Sequence, residues 1–193
     1  ASTGTHEALE KRDGDAAYGG KGVKQACETV RTTIQDAVVG HEFESQESFD
    51  SALLHLDQSE QKSVLGGNTI LGCSMAFSRL LARSRGVHHY KVFQGEDRLP
   101  TPYCNILNGG MHAGNDLAIQ EFMVVPEGKT FADKTRKVAE VYHILKELLA
   151  EKHGKDATAV GDEGGFAPPL STSREALELI LEAVEKAGYI DSM

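Results

Sequence analysis

No run of about 18 or more apolar residues occurs in this sequence, so it offers no membrane-spanning helix. Cysteine is scarce. Cys27, Cys73 and Cys104 are too few and too widely spaced for a metal knuckle or a disulfide framework. They read as three buried thiols in a reducing compartment, which points to the cytoplasm. Positive charge is in deficit: 20 Lys and Arg stand against 29 Asp and Glu, for a net charge of −9. Such a surface lacks the clustered cations that nonspecific nucleic-acid or anionic-membrane binding requires. Internal repeats and low-complexity stretches are missing, as is a charged-then-apolar leader. The last absence carries little weight, because the chain starts at Ala1 rather than Met, and a lost beginning is expected.

What is present is ordinary except in one respect. With 193 residues, 40% hydrophobic and 25% charged, the chain has room for one large domain or two small ones. This composition excludes collagen-like, coiled-coil and wholly disordered readings. The surplus is glycine, 20 residues gathered in clusters, which implies functional turns rather than a flexible linker.

Residues 1–20 are polar and glycine-punctuated and read as loop. Val23, Ala26, Val30, Ile34 and Val38 then recur at three- and four-residue steps, predicting an amphipathic helix that ends at Gly40. Phe49, Leu53 and Leu56 make a second stripe after a Ser45 or Ser48 cap. The segment 68–85 is apolar around most of its circumference and predicts a buried helix closed by Gly86. Beyond residue 90 the texture changes. Two short β-prone runs, 103–107 and 118–125, stop at glycine or proline. Two helices follow, one capped by Thr130 and one opened by a Thr172–Glu175 capping box, with a strand-like stub and glycine loop, AVGDEGGFAPP, between them. A domain boundary is expected between Tyr90 and Pro100.

Three glycine-rich segments carry chemistry-bearing side chains: ASTGTHE at 1–7, NGGMHAGND at 108–116 followed by IQEF, and VGDEGGFAPP at 160–169. None has the glycine spacing of a P-loop or a dinucleotide fingerprint. Singly each reads as a turn. A lone histidine is more often a surface or satisfied core residue, and His6, His41, His55, His88, His89, His143 and His153 keep that reading.

Taken in order, NILNGG-x-HAGN, IQEFM and VGDEGGFAP after an ASTG loop resemble the enolases (phosphopyruvate hydratases), as do GKGV near residue 21 and LG-x-N-x-ILG from Leu65. The likeness runs from Ala1 to about Tyr189, and GNDLAIQEFMVVP is most similar to the archaeal branch. It implies an α/β fold: an incomplete α+β N-terminal cap over 1–92, then the first strands and helices of a TIM-like (β/α)8 barrel over 93–193. It implies a hydro-lyase that reversibly converts 2-phosphoglycerate to phosphoenolpyruvate in glycolysis and gluconeogenesis, with two Mg²⁺ per active site. The full-length protein is then expected to be a cytoplasmic homodimer or octamer, with the cell surface as an additional location.

Residue by residue, the resemblance makes Glu163 of GDEGG the general acid. Glu121 of IQEF becomes its carboxylate partner, sharing a proton with it. His112 and Gln120 become substrate contacts, with Glu121 beside them. Ser2 matches a loop serine that joins the second magnesium through oxygen, a ligand type that suits a hard cation. A free glutamic acid, with a pKa of about 4.3, is ionised near neutrality, so its surroundings must favour the protonated form for it to donate. One departure is Met111, where relatives carry serine or lysine before the histidine. The main magnesium ligands, the lysine base and the other substrate clamps match nothing here and are expected beyond Met193. The chain by itself is therefore expected to be inactive and either poorly soluble or partly molten. The competing reading is a truncated, non-catalytic paralogue that binds proteins at the cell surface. A different acid-sugar dehydratase is disfavoured by the HAGN and GDEGGFAP loops.

Overall fold

A computed structural model describes residues 4–93 and 95–193. The chain divides into two compact units, the first running to Glu96 and the second from Asp97 to Met193.

The described residues of the first unit are helical, with no strand. The stripe from Val23 to Val38 forms α1 (Lys24–Thr29), a π-helical turn (Val30–Ile34) and α2 (Gln35–Val38). A π turn holds one more residue than an α turn and rotates the following face. This corrects the expected single stripe: Ala26 and Ile34 are buried, whereas Val23, at the N-cap, and Val30, at the start of the π turn, are exposed. Helix α3 (Gln46–Leu56) starts at Ser45, whose hydroxyl accepts from the Ser48 backbone while the Ser48 hydroxyl accepts from the Ser45 backbone. Its inner face, Phe49 and Leu53, packs with Ile34 and Leu65. The Phe49 and Phe77 rings stack at 4.1 Å, with Phe43 edge-on to both.

Helix α4 (Gly67–Ser84) is not the buried helix its composition predicts. Leu71 and Leu80 are 59% and 60% exposed, while Thr69, Ser78, Leu81 and Ala82 are buried. The described neighbours cover one side of it only, so apolar content around the circumference does not translate into burial. The thiols also depart from expectation. Cys27 is exposed, and Cys73 and Cys104 are half-buried, with burial raising the pKa of the latter two.

The second unit is built on two strands, β1 (Cys104–Asn108) and β2 (Glu121–Val124), which pair antiparallel. The register runs Cys104 to Val124 and Asn105 to Met123, then slips so that Leu107 meets Phe122 and Asn108 meets Glu121. Ile106 is the extra residue of this bulge. Phe166 adds a third, parallel element beside β1: it donates to the Ile106 carbonyl at 3.0 Å and accepts from the Asn108 amide at 2.8 Å. Helices α5 (Phe131–His153) and α6 (Ser173–Lys186) cover the sheet, burying Val141, Leu145, Leu148 and Leu149 against Ala176, Ile180, Ala183 and Val184. Thr130 caps α5 and Thr172 caps α6 through the backbone amides of Asp133 and Glu175. Leu177 and Leu181 of α6 face outward and are exposed.

Candidate functional site

Glycine makes this site possible. The turn after β1 and the GDEGG turn press against each other backbone to backbone. A Cβ on Gly161 would lie 2.4 Å from the His112 carbonyl, and one on Gly165 would lie 2.5 Å from Oδ1 of Asn108 and 2.9 Å from the Leu107 nitrogen. Any side chain at either position would push the two turns apart. Asn108 fills the space between them, fully buried, its Nδ2 donating to the Gln120 carbonyl. Asn115 bridges the same region by donating to the carbonyls of Asn108 and Pro168 at 3.0 and 2.9 Å.

On this scaffold three of the predicted residues converge. His112 ends a short 3-10 turn, Gly110–His112, and its side chain is only 5% exposed. Its Nδ1 lies 3.1 Å from Oε1 of Glu163 and 3.5 Å from Oε1 of Glu121. These are ion-pair distances rather than aligned hydrogen bonds, and Nε2 has no hydrogen-bond partner among the described residues. Glu163 and Glu121 remain open to solvent, at 38% and 31%. Two carboxylates beside one imidazole repel unless a cation or a shared proton lies between them. Such a cluster can take up a proton and release it to a molecule at its open side.

Gln120 lies at the start of β2 next to Gly110, where its carbonyl accepts from the Gly109 amide at 2.9 Å. Met111 is exposed on the same turn. Ser2 lies outside the described residues. Two residues that sequence reasoning passed over also belong here. Asn105 donates from Nδ2 to Oε2 of Glu163 at 3.0 Å, and Tyr142 of α5 donates from its hydroxyl to the Gly164 carbonyl at 2.8 Å.

His112, Glu121 and Glu163 are also the one group of three His, Cys, Asp or Glu among the described residues whose ligand atoms come within 4.8 Å of one another. One of the three donors is an imidazole nitrogen. Mg²⁺ prefers an octahedron of oxygens and keeps several waters. The described residues therefore do not assemble the primary magnesium centre that the resemblance implies.

Paired carboxylates against a buried histidine, held on glycine turns at strand ends, are of the class that can serve acid–base chemistry. Comparison with known proteins narrows that class. The family model for the enolase N-terminal domain matches residues 1–93, and the model for the enolase C-terminal TIM barrel domain matches residues 96–193. The enolase of Methanocaldococcus jannaschii is 48% identical over 196 residues, which cover 100% of this chain and 46% of that protein. The enolase of Methanosarcina barkeri is 49% identical, with 100% and 46% coverage, and enolase 1 of Entamoeba histolytica is 50% identical, with 98% and 45%. The chain belongs to the enolase family. It spans about half the length of the curated relatives it matches.

Proposed function

We propose that the protein containing this chain is a phosphopyruvate hydratase that interconverts 2-phosphoglycerate and phosphoenolpyruvate. The observation that carries this reading is the convergence of Glu163, Glu121 and His112 on turns with the family's motifs. In the dehydration direction a base removes the proton next to the substrate carboxylate, and the electron pair becomes the C2–C3 double bond. The C3 hydroxyl leaves with a proton from Glu163 and departs as water, so Glu163 ends ionised. Glu121 holds the proton jointly with Glu163 before transfer, while His112 and Gln120 contact the substrate. Two Mg²⁺, when bound in the enzyme as a whole, would supply positive charge beside the substrate carboxylate. Ser2 is the residue of this chain that would contribute to the second ion. The cap over 1–92 and the barrel opening over 93–193 form parts of a cytoplasmic homodimer or octamer.

The test is a split between two half-reactions. In the full-length enzyme, Glu163→Gln lowers dehydration, followed by the absorbance of phosphoenolpyruvate, by about 10²–10⁴-fold. Exchange of the proton next to the carboxylate, followed by NMR in D₂O, stays near the unsubstituted rate. Equal loss of both would remove Glu163 from the acid role.

A further inference from the structure

Glu163 is exposed on a glycine turn, and a side chain so placed has many rotamers. Something must hold it at the fork with His112 and Glu121. Among the described residues, two side chains outside the trio donate hydrogen bonds to it or its turn. The Asn105 amide donates to Oε2, the carboxylate oxygen that does not face His112. Tyr142, its ring stacked on Phe166 at 4.3 Å, donates to the carbonyl of Gly164, the neighbouring residue, which has a φ of +83°.

Both placements are tertiary products. Strict strand alternation would send Asn105 to the same side as Leu107, into the core. The bulge at Ile106 reverses this. Asn105 pairs with Met123 and shares the open face that carries Glu121, while Leu107 pairs with Phe122 and faces the core. Bulges of this kind re-aim side chains beside active sites.

We propose that Asn105 and Tyr142 are positioning residues for the acid: Asn105 holds the Glu163 carboxyl, and Tyr142 holds the turn that presents it. This rests on the dehydratase reading given above. Asn105 suits both protonation states of the cycle. Its Nδ2 donates to the ionised carboxylate left after the proton has gone to the departing hydroxyl. Its Oδ1 is buried with no hydrogen-bond partner among the described residues, and a half-turn of the amide presents it as acceptor to the protonated acid.

The experiment uses the full-length enzyme with 2-phosphoglycerate. Asn105→Ala lowers kcat for dehydration by about 10–100-fold. KM and the exchange of the substrate proton next to the carboxylate stay near their unsubstituted values. Asn105→Asp keeps the shape but not the donor and remains impaired. Tyr142→Phe retains the ring packed on Phe166 and shows a smaller loss of the same pattern. A merely structural role would depress exchange and dehydration together, and that result, or an Asn105→Ala enzyme that dehydrates normally, overturns the proposal. A second readout is independent of turnover: the Asn105 side-chain amide protons exchange with solvent faster in Glu163→Ala, and unchanged exchange overturns the contact. Failure of the unsubstituted enzyme to dehydrate 2-phosphoglycerate would sink the parent reading and this role with it. Loss of the split in an active enzyme sinks this role alone.

Discussion

Each unit of the chain has a carboxylate at the centre of a turn, and the two are treated in opposite ways. In the first unit Asp57, at the C-terminus of α3, is 1% exposed. Its oxygens accept from the backbone amides of Ser59, Val64 and Leu65 and from the Ser59 hydroxyl. Burial alone would push its pKa up; the four hydrogen bonds outweigh that and hold it below the ordinary carboxylate range. In the second unit Glu163 is more than a third exposed and shares its surroundings with Glu121, His112 and one amide. A carboxylate whose acceptor capacity is filled by its own loop organises structure. Glu163 instead keeps one oxygen toward His112 and Glu121 and part of its surface open to solvent.

This contrast can be broken experimentally, beginning where the effect is largest. Phe166→Ala removes a ring that is 1% exposed, stacked on Tyr142 and belonging to a residue bridged to β1. The expected cost is about 3–5 kcal/mol, read by denaturant unfolding of the second unit's signals. A cost under about 1 kcal/mol would show that the scaffold of the site is not where its rigidity lies.

Asp57→Asn comes next. It removes a charged acceptor from a buried turn, with an expected cost of about 2–3 kcal/mol. Amide hydrogen exchange at Val64 and Leu65 quickens accordingly. Because the folded pKa is depressed, the stabilisation by Asp57 is fully present above its unfolded value of about 3.9 and is lost as pH falls through the folded value. The variant should therefore lose its disadvantage in strong acid. The counterpart, Glu163→Gln, is expected to change stability by less than about 0.5 kcal/mol, because an exposed carboxylate beside another loses little when neutralised. Equal destabilisation by Asp57→Asn and Glu163→Gln would erase the distinction between the two turns.

Local signals were legible in the sequence where a short-range rule governs. The Ser45, Thr130 and Thr172 caps depend on a hydroxyl and an amide three residues apart, and each forms as read, although at Thr172 only the hydroxyl half of the expected box is seen. The α3 stripe likewise reaches the core through Phe49 and Leu53. Burial failed where it depends on what lies opposite. Leu71 and Leu80 of α4 are as apolar as core residues, yet the described neighbours leave them open. The π turn after α1 cannot be read from spacing, because the spacing is the very thing it changes.

The motifs by themselves determined which residues could meet. NGGMHAGND, IQEF and GDEGG contain the histidine, the two carboxylates and the glycines whose missing side chains let two turns approach. Only the tertiary structure decided which polar neighbours would serve them. Asn105 lies in the β-prone run 103–107, and one extra residue in β1 turns it toward Glu163. Tyr142 lies on α5, and packing on Phe166 brings its hydroxyl to the Gly164 carbonyl. The reason is the range of the forces. Backbone conformation and capping are settled within a few residues, whereas the bulge and the cross-element hydrogen bonds join positions 58 and 22 residues apart in the chain, a pairing that no local pattern encodes.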